Sequence, residues 1–205
     1  MKRQAYDDPK EDSFFGTSFL LYLVLAAITF LFLGVMGAYM YNRALFDLPG
    51  MEIPGIFYVS TFLIVGVSFL VRSARHAFQI SHFDQLFQRW AGIFLALLLF
   101  IGLQIYGWYE LIDSGLPAEA NNSVGYLYVL SALHIVHIII GFPFHIKEFW
   151  KQYKSQQSGD FSKMEYLAQH ENRDRLTLMG RYWHYLDMLW IVLMIFFIVN
   201  TYIWI

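Results

Sequence analysis

Five apolar stretches, each long enough to cross a hydrocarbon core, constrain this chain more than any other feature. A spanning helix needs about 20 predominantly apolar residues. The first stretch runs from about Phe14 to Tyr41, long enough to tilt, and the second starts after Pro54 and ends at Arg72. The third runs from about Trp90 to Ile112, the fourth from Val124 to Ile146 and the fifth from Tyr182 to Ile205. Backbone in lipid must satisfy its own polar groups, so these segments are predicted to be helices, and the alternation of a barrel strand is absent. Composition agrees: only 15% of the 205 residues are charged while 58% are hydrophobic, against roughly a quarter charged in soluble domains. The predicted fold is an all-α membrane protein, a bundle of five transmembrane helices. Residues 1–13 form a polar N-terminal segment, and 14–205 a single domain with a polar, partly helical cytoplasmic loop at about 147–181.

The connections set the orientation. Lys2, Arg3, Lys10, Arg72, Arg75, Arg89, Lys147, Lys151, Lys154, Lys163, Arg173, Arg175 and Arg181 fall on one side, and only Arg43 on the other. Positive charge collects on the cytoplasmic side of membrane proteins, so the N-terminus is predicted to be cytoplasmic and the C-terminus periplasmic. Tyr and Trp bands at both ends of the spans, among them Trp108, Tyr109, Tyr202 and Trp204 outside and Trp90, Trp150 and Trp183 inside, mark the two headgroup levels. The first apolar run is much longer than a signal-peptide core and lacks a small-residue cleavage pattern, so it is expected to be a retained span.

Polar groups inside spans are functional candidates, since placing them there is costly. The fourth span carries His134 and His137, which sit about 60° apart on a helix and share a small, polar stripe with Ser131 and Gly141. Counted from Val124, His134 lies about 15 Å below the outer edge, near the midplane. The fifth span opens with Tyr182, Trp183, His184, Asp187 and Trp190. His184 and Asp187 are three apart and can pair on one face. The carboxylate also stands near the cytoplasmic start of that span, where the helix dipole favours it. Gln104 is deep enough in the third span to make an interhelical hydrogen bond, whereas Glu110 belongs to the hydrated outer interface. Arg72, Arg75 and His76, just inside the second span, either anchor topology or contact lipid phosphate.

Metal and haem chemistry finds little support. No cysteine is present, which excludes Fe–S clusters and covalent haem attachment. Two histidines one turn apart on one helix cannot clamp both faces of a haem. The seven histidines are too few and too scattered for a membrane di-iron site. The residues alone favour a scaffold or partner subunit over a catalyst, with His134, His137, His184 and Asp187 forming a hydrogen-bonded seam between spans four and five.

Three stretches, in order and at matching spacing, resemble the third subunit of haem–copper terminal oxidases. They are Ala132 to Gly141 with its two histidines, Tyr182-Trp183-His184 with Asp187 and Trp190, and Leu103-Gln104 through Tyr109-Glu110. Gly37-Ala38-Tyr39 fits the end of the family's corresponding early helix, and the likeness extends over Phe14 to Ile205. The resemblance implies a non-catalytic subunit of the short, five-helix bacterial type in the inner membrane, with cytochrome c rather than quinol expected as the electron donor of the whole complex. It further implies packing against catalytic subunit I, haem and copper carried on partner subunits and none here, bound structural phospholipids, and support of proton uptake and oxygen access. Nucleic acid is not among the expected partners. A quinol oxidase subunit, an accessory protein of nitric oxide reductase and, from another class, a stand-alone haem electron carrier are the competing readings. One departure stands out: the acid this family often buries in its early helix aligns near Ile28, and a second acidic position near Tyr106 to Trp108 holds Gly107.

Overall fold

The computed structural model describes residues 9–202, with side chains described from residue 16. The first eight residues, with Lys2 and Arg3, and Trp204 and Ile205 at the other end lie outside the described residues, as does the side chain of Lys10. Six helices follow one another: α1 (Pro9–Phe46), α2 (Gly55–Gln79), α3 (Phe83–Asp113), α4 (Asn122–Gln157), α5 (Asp160–Ala168) and α6 (His170–Tyr202). All except α5 are long and apolar enough to cross a membrane, and the described residues contain no strand. The chain is a multi-pass, all-helical membrane protein.

α2 and α3 form an antiparallel hairpin, closed by a short turn in which Ser81 takes a positive φ of 57°. α3 also packs on α4, and α6 touches α1, α2 and α4, so α6 is the hub of the bundle. Large rings fill its surroundings: Phe57, Phe100, Trp183, Trp190 and Phe197 are all essentially inaccessible. Two glycines let the helices approach. A Cβ on Gly107 of α3 would stand 2.5 Å from the Phe57 ring of α2, and one on Gly141 of α4 would stand 2.6 Å from Tyr182 and 2.7 Å from Trp183 of α6. Asn121 starts α4 by accepting from the Val124 N–H at 2.9 Å, relieving one of the orphan donors of a helix N-terminus.

The helices run well beyond the lipid-crossing lengths read from the sequence. Most of the predicted loop at 147–181 is helix: α4 continues to Gln157, α5 folds back after Gly159 (φ 92°), and α6 starts at His170. Polar side chains end an apolar stretch without ending a helix, which is why hydropathy alone misses this extension. α5 lies against α3, α4 and α6. The C-terminal end of α2, the start of α3, the end of α4, α5 and the start of α6 thus make one basic end of the molecule. At the opposite end, Arg43 of α1 donates to the Asn200 carbonyl (2.6 Å) and Oδ1 (3.2 Å) of α6.

Candidate functional site

The four residues expected to form one seam are found in two places. His184 and Asp187 turn toward α2, where Ser68 stands between them. The Ser68 hydroxyl donates to Asp187 Oδ2 at 2.7 Å, and its oxygen lies 3.1 Å from His184 Nδ1. With the serine proton given to the carboxylate, its oxygen accepts from His184, so the three groups form a chain of donors. Asp187 is 1% exposed and its Oδ1 has no hydrogen-bond partner among the described residues, while His184 is exposed. The i,i+3 spacing placed both side chains on one face, but the bonds run to a third residue on a neighbouring helix.

His134 is fully buried near the middle of α4 in a box of rings. Its centroid lies 5.1 Å from Trp190 and 5.6 Å from Phe100, and neither ring nitrogen has a hydrogen-bond partner among the described residues. The neighbours that α3 and α6 present at this depth are aromatic, and ring faces offer only weak N–H···π contacts. His137, one turn on, faces α1. Its Nδ1 donates to the Leu133 carbonyl of its own helix at 2.6 Å and its ring packs 5.7 Å from Phe32. The carbonyl of His137 accepts from Tyr182 Oη of α6 at 2.5 Å.

Around these groups the spans are tied by single bonds. Gln104 Nε2 donates to Ser60 Oγ at 2.8 Å, joining α3 to α2, and Trp190 Nε1 donates to Thr61 Oγ1 at 3.0 Å, joining α6 to α2. Trp108 Nε1 donates to Ser131 Oγ at 3.0 Å, joining α3 to α4. Trp183 is buried against Gly141, with its ring 5.7 Å from that of His145. Arg72, Arg75 and His76 are exposed at the basic end, and none forms an ion pair among the described residues. Among the described residues, no three His, Asp or Glu side chains converge on a point that could hold a metal ion.

Sequence reading missed a polar cluster at the basic end. Tyr166 of α5 donates its hydroxyl to Glu148 of α4 and accepts from Gln152 Nε2 at 3.1 Å. Asn172 of α6 donates to the Tyr166 carbonyl at 2.8 Å and accepts from Lys151 Nζ at 2.5 Å. Glu148, Gln152, Tyr166 and Asn172 are all buried. Burial, and next the adjacent Glu148 charge, push the Tyr166 hydroxyl well above its ordinary range, so it remains a donor at any physiological pH. The only sequence signal was four-residue spacing of polar groups along α4, which reads equally well as a solvated face.

No family model matches the chain. It is similar to a protein named cytochrome c oxidase subunit 3 from Synechocystis sp., 27% identical over 182 residues, or 84% of this chain and 71% of that protein. A second protein of that name, from Thermostichus vulcanus, is 22% identical over 179 residues, 84% of this chain and 82% of its own length. The similarity to these two subunit 3 proteins extends over most of the chain and supports the subunit III family of haem–copper oxidases. A cytochrome bo(3) ubiquinol oxidase subunit 3 from Buchnera aphidicola, 27% identical over 108 residues, covers 52% of this chain and half of that protein.

Set against that family, the two expected acidic positions acquire a physical reading. Ile28 is 5% exposed in the apolar packing of α1. Gly107 cannot be exchanged for a carboxylate at all, because its Cβ would already overlap Phe57 and Ile56. This chain closes α2 on α3 where an acid was expected.

Proposed function

We propose that the chain is the non-catalytic third subunit of a bacterial cytochrome c oxidase, embedded in the inner membrane with its basic end toward the cytoplasm. The similarity to two proteins named cytochrome c oxidase subunit 3, extending over most of the chain, is the observation that carries this reading. The basic end collects Arg72, Arg75, Arg89, Lys147, Lys151, Lys154, Lys163, Arg173, Arg175 and Arg181, leaving Arg43 at the other, and that asymmetry supports the orientation. Residues 14–205 act as one domain that stabilises catalytic subunit I, which carries the haem and copper. Phospholipids fill the contacts between them, and Arg72, Arg75 and His76 meet lipid phosphate at the headgroup level.

His184, Ser68 and Asp187 have a role that follows from their placement. His184 is exposed on a helix surface otherwise bearing Met188, Val192 and Ile195. A polar group in such a setting is expected to face protein or a water-filled cleft, not lipid. We assign this face of α2 and α6 to contact within the oxidase complex.

Affinity purification of the tagged chain from native membranes tests the assignment. The chain should co-purify with haem-bearing subunit I, and the complex should consume dioxygen with reduced cytochrome c as donor. Recovery without any oxidase subunit would overturn the proposal. Activity with quinol alone would move it to the quinol oxidase branch, which the Buchnera similarity keeps as the second reading. A Soret band belonging to the isolated polypeptide would move it to an electron carrier.

A further inference from the structure

Among the described helices, α5 alone is not long and apolar enough to span a membrane. It is firmly seated. Tyr166 bonds to Glu148 and Gln152 of α4, and its ring stands edge-on 5.4 Å from Phe83 of α3. Lys163 Nζ donates to Asp84 Oδ1 of α3 at 3.0 Å. Those contacts use one side of the helix. At about 100° per residue the other side presents Asp160, Met164, Ala168, Phe161 and Glu165 in that angular order, and all five are exposed. Phe161 is 83% and Met164 71% exposed, and no large apolar side chain among the described residues is more open than Phe161.

Exposed rings such as Phe30 and Phe62 sit on spans, where lipid covers them. The outer face of α5 has no such cover. α4 runs on past Ile146 to Gln157 before the chain turns back at Gly159. At 1.5 Å per residue, Phe161 and Met164 then stand roughly 10–15 Å beyond the hydrocarbon edge. The headgroup layer is only about 5–8 Å deep on each side. The stripe is therefore in water, and an apolar patch rimmed by polar groups marks a protein contact. Its rim is acidic, with Asp160 on one side and Glu165 on the other. Lys163, the cation of this helix, is turned inward onto Asp84 with its side chain 18% exposed. Glu165 forms no ion pair among the described residues. Nearby, Arg72, Lys154 and Arg173 suit anionic headgroups; the outer face of α5 carries only carboxylates, which such headgroups repel.

We propose that the outer face of α5 docks an apolar segment of a partner protein that carries Lys or Arg on its flanks. Phe161 and Met164 fill the centre of the contact, and Asp160 and Glu165 pair with the cations at its rim. Aromatic and methionine side chains at the centre with charge around them are the usual division of labour in protein interfaces, and the rim charges select the partner. The inference goes beyond the oxidase assignment and stands without it.

Photo-cross-linking of the full chain in its native membranes supplies the test, with Phe161 replaced by p-benzoylphenylalanine and the adducts identified by mass spectrometry. The expected adduct is one recurrent peptide of another protein, apolar and bearing Lys or Arg. Glu165→Lys should lower its yield about fivefold, and Met164→Ala should do the same. Both positions are exposed, so neither variant should change the melting temperature of the purified chain. Raising the salt from about 0.1 M to about 1 M, which shortens the screening length roughly threefold, should lower the wild-type yield. Adducts with lipid alone, with a second copy of this chain or with scattered unrelated peptides overturn the inference, as does the absence of any adduct. A recurrent peptide whose yield ignores both Glu165→Lys and salt also overturns it. A qualifying peptide from a protein outside any oxidase upholds the docking face, while co-purification of subunit I decides the oxidase assignment separately.

Discussion

α1 and α6 are both helices of more than 30 residues, yet they occupy opposite places in the bundle. α1 is the most apolar of the five spans and the least enclosed, with 17% of its apolar stretch buried, against 44% for α6. α6 carries His184, Asp187, Trp190 and Asn200, and each of them bonds to another element or to its own helix. In water the most apolar segment goes to the core. In a bilayer lipid is as apolar as any core, so packing sorts helices by shape and by polar partners instead. Hydropathy therefore identifies spans and says little about which span is central.

The sharpest way to break this comparison is through glycine. Gly141→Ala, on the α4 surface facing α6, should cost about 1–3 kcal/mol because the Tyr182 and Trp183 rings have to move. Gly37→Ala on α1 meets nothing within 4 Å and should leave the melting temperature in detergent unchanged. Equal responses of the two would remove the distinction between a central and a peripheral helix. Tyr166→Phe tests the polar packing at the foot of α6. It removes the donor to buried Glu148 and should cost about 1–3 kcal/mol, read by thermal unfolding. Asp187→Leu strips the acceptor from Ser68 and should cost about 0.5–1.5 kcal/mol, the range of hydrogen bonds between membrane helices. Asp187→Asn keeps an acceptor oxygen for Ser68 and should be milder, which separates the hydrogen bond from the charge. Smallest of all, Phe30→Ala on α1, at a side chain 74% exposed, should leave the isolated chain unaltered. A loss confined to the assembled complex would assign that face to a partner.

Much of the architecture was legible because membrane insertion is governed by length and charge, both of which are written along the chain. The site was less so. Asp187 and His184 were visible as polar groups in an apolar run, but Ser68 was not, since a lone serine in a span commonly bonds to its own helix. Only the α2–α6 contact gives it two partners. His134 was read as a hydrogen-bonded group because buried polar atoms usually are, and aromatic packing from α3 and α6 overrode that rule. Gly107 looked like a missing acid until the Phe57 ring beside it supplied a steric reason. The cluster around Tyr166 needed three elements folded against one another, which no spacing along a single helix reports.

The tie between Arg43 and Asn200 joins residues 157 apart in sequence, and it bears on how the protein is made. During synthesis α1 leaves the ribosome before either of its partners, α4 and α6. α2 and α3, in contrast, can pair as soon as their short turn is complete. The nascent α1 therefore waits alone in the bilayer, and its high apolarity suits that interval. The Arg43 guanidinium is left to the headgroup region until the end of α6 arrives, so closing the bundle is one of the last steps of biogenesis.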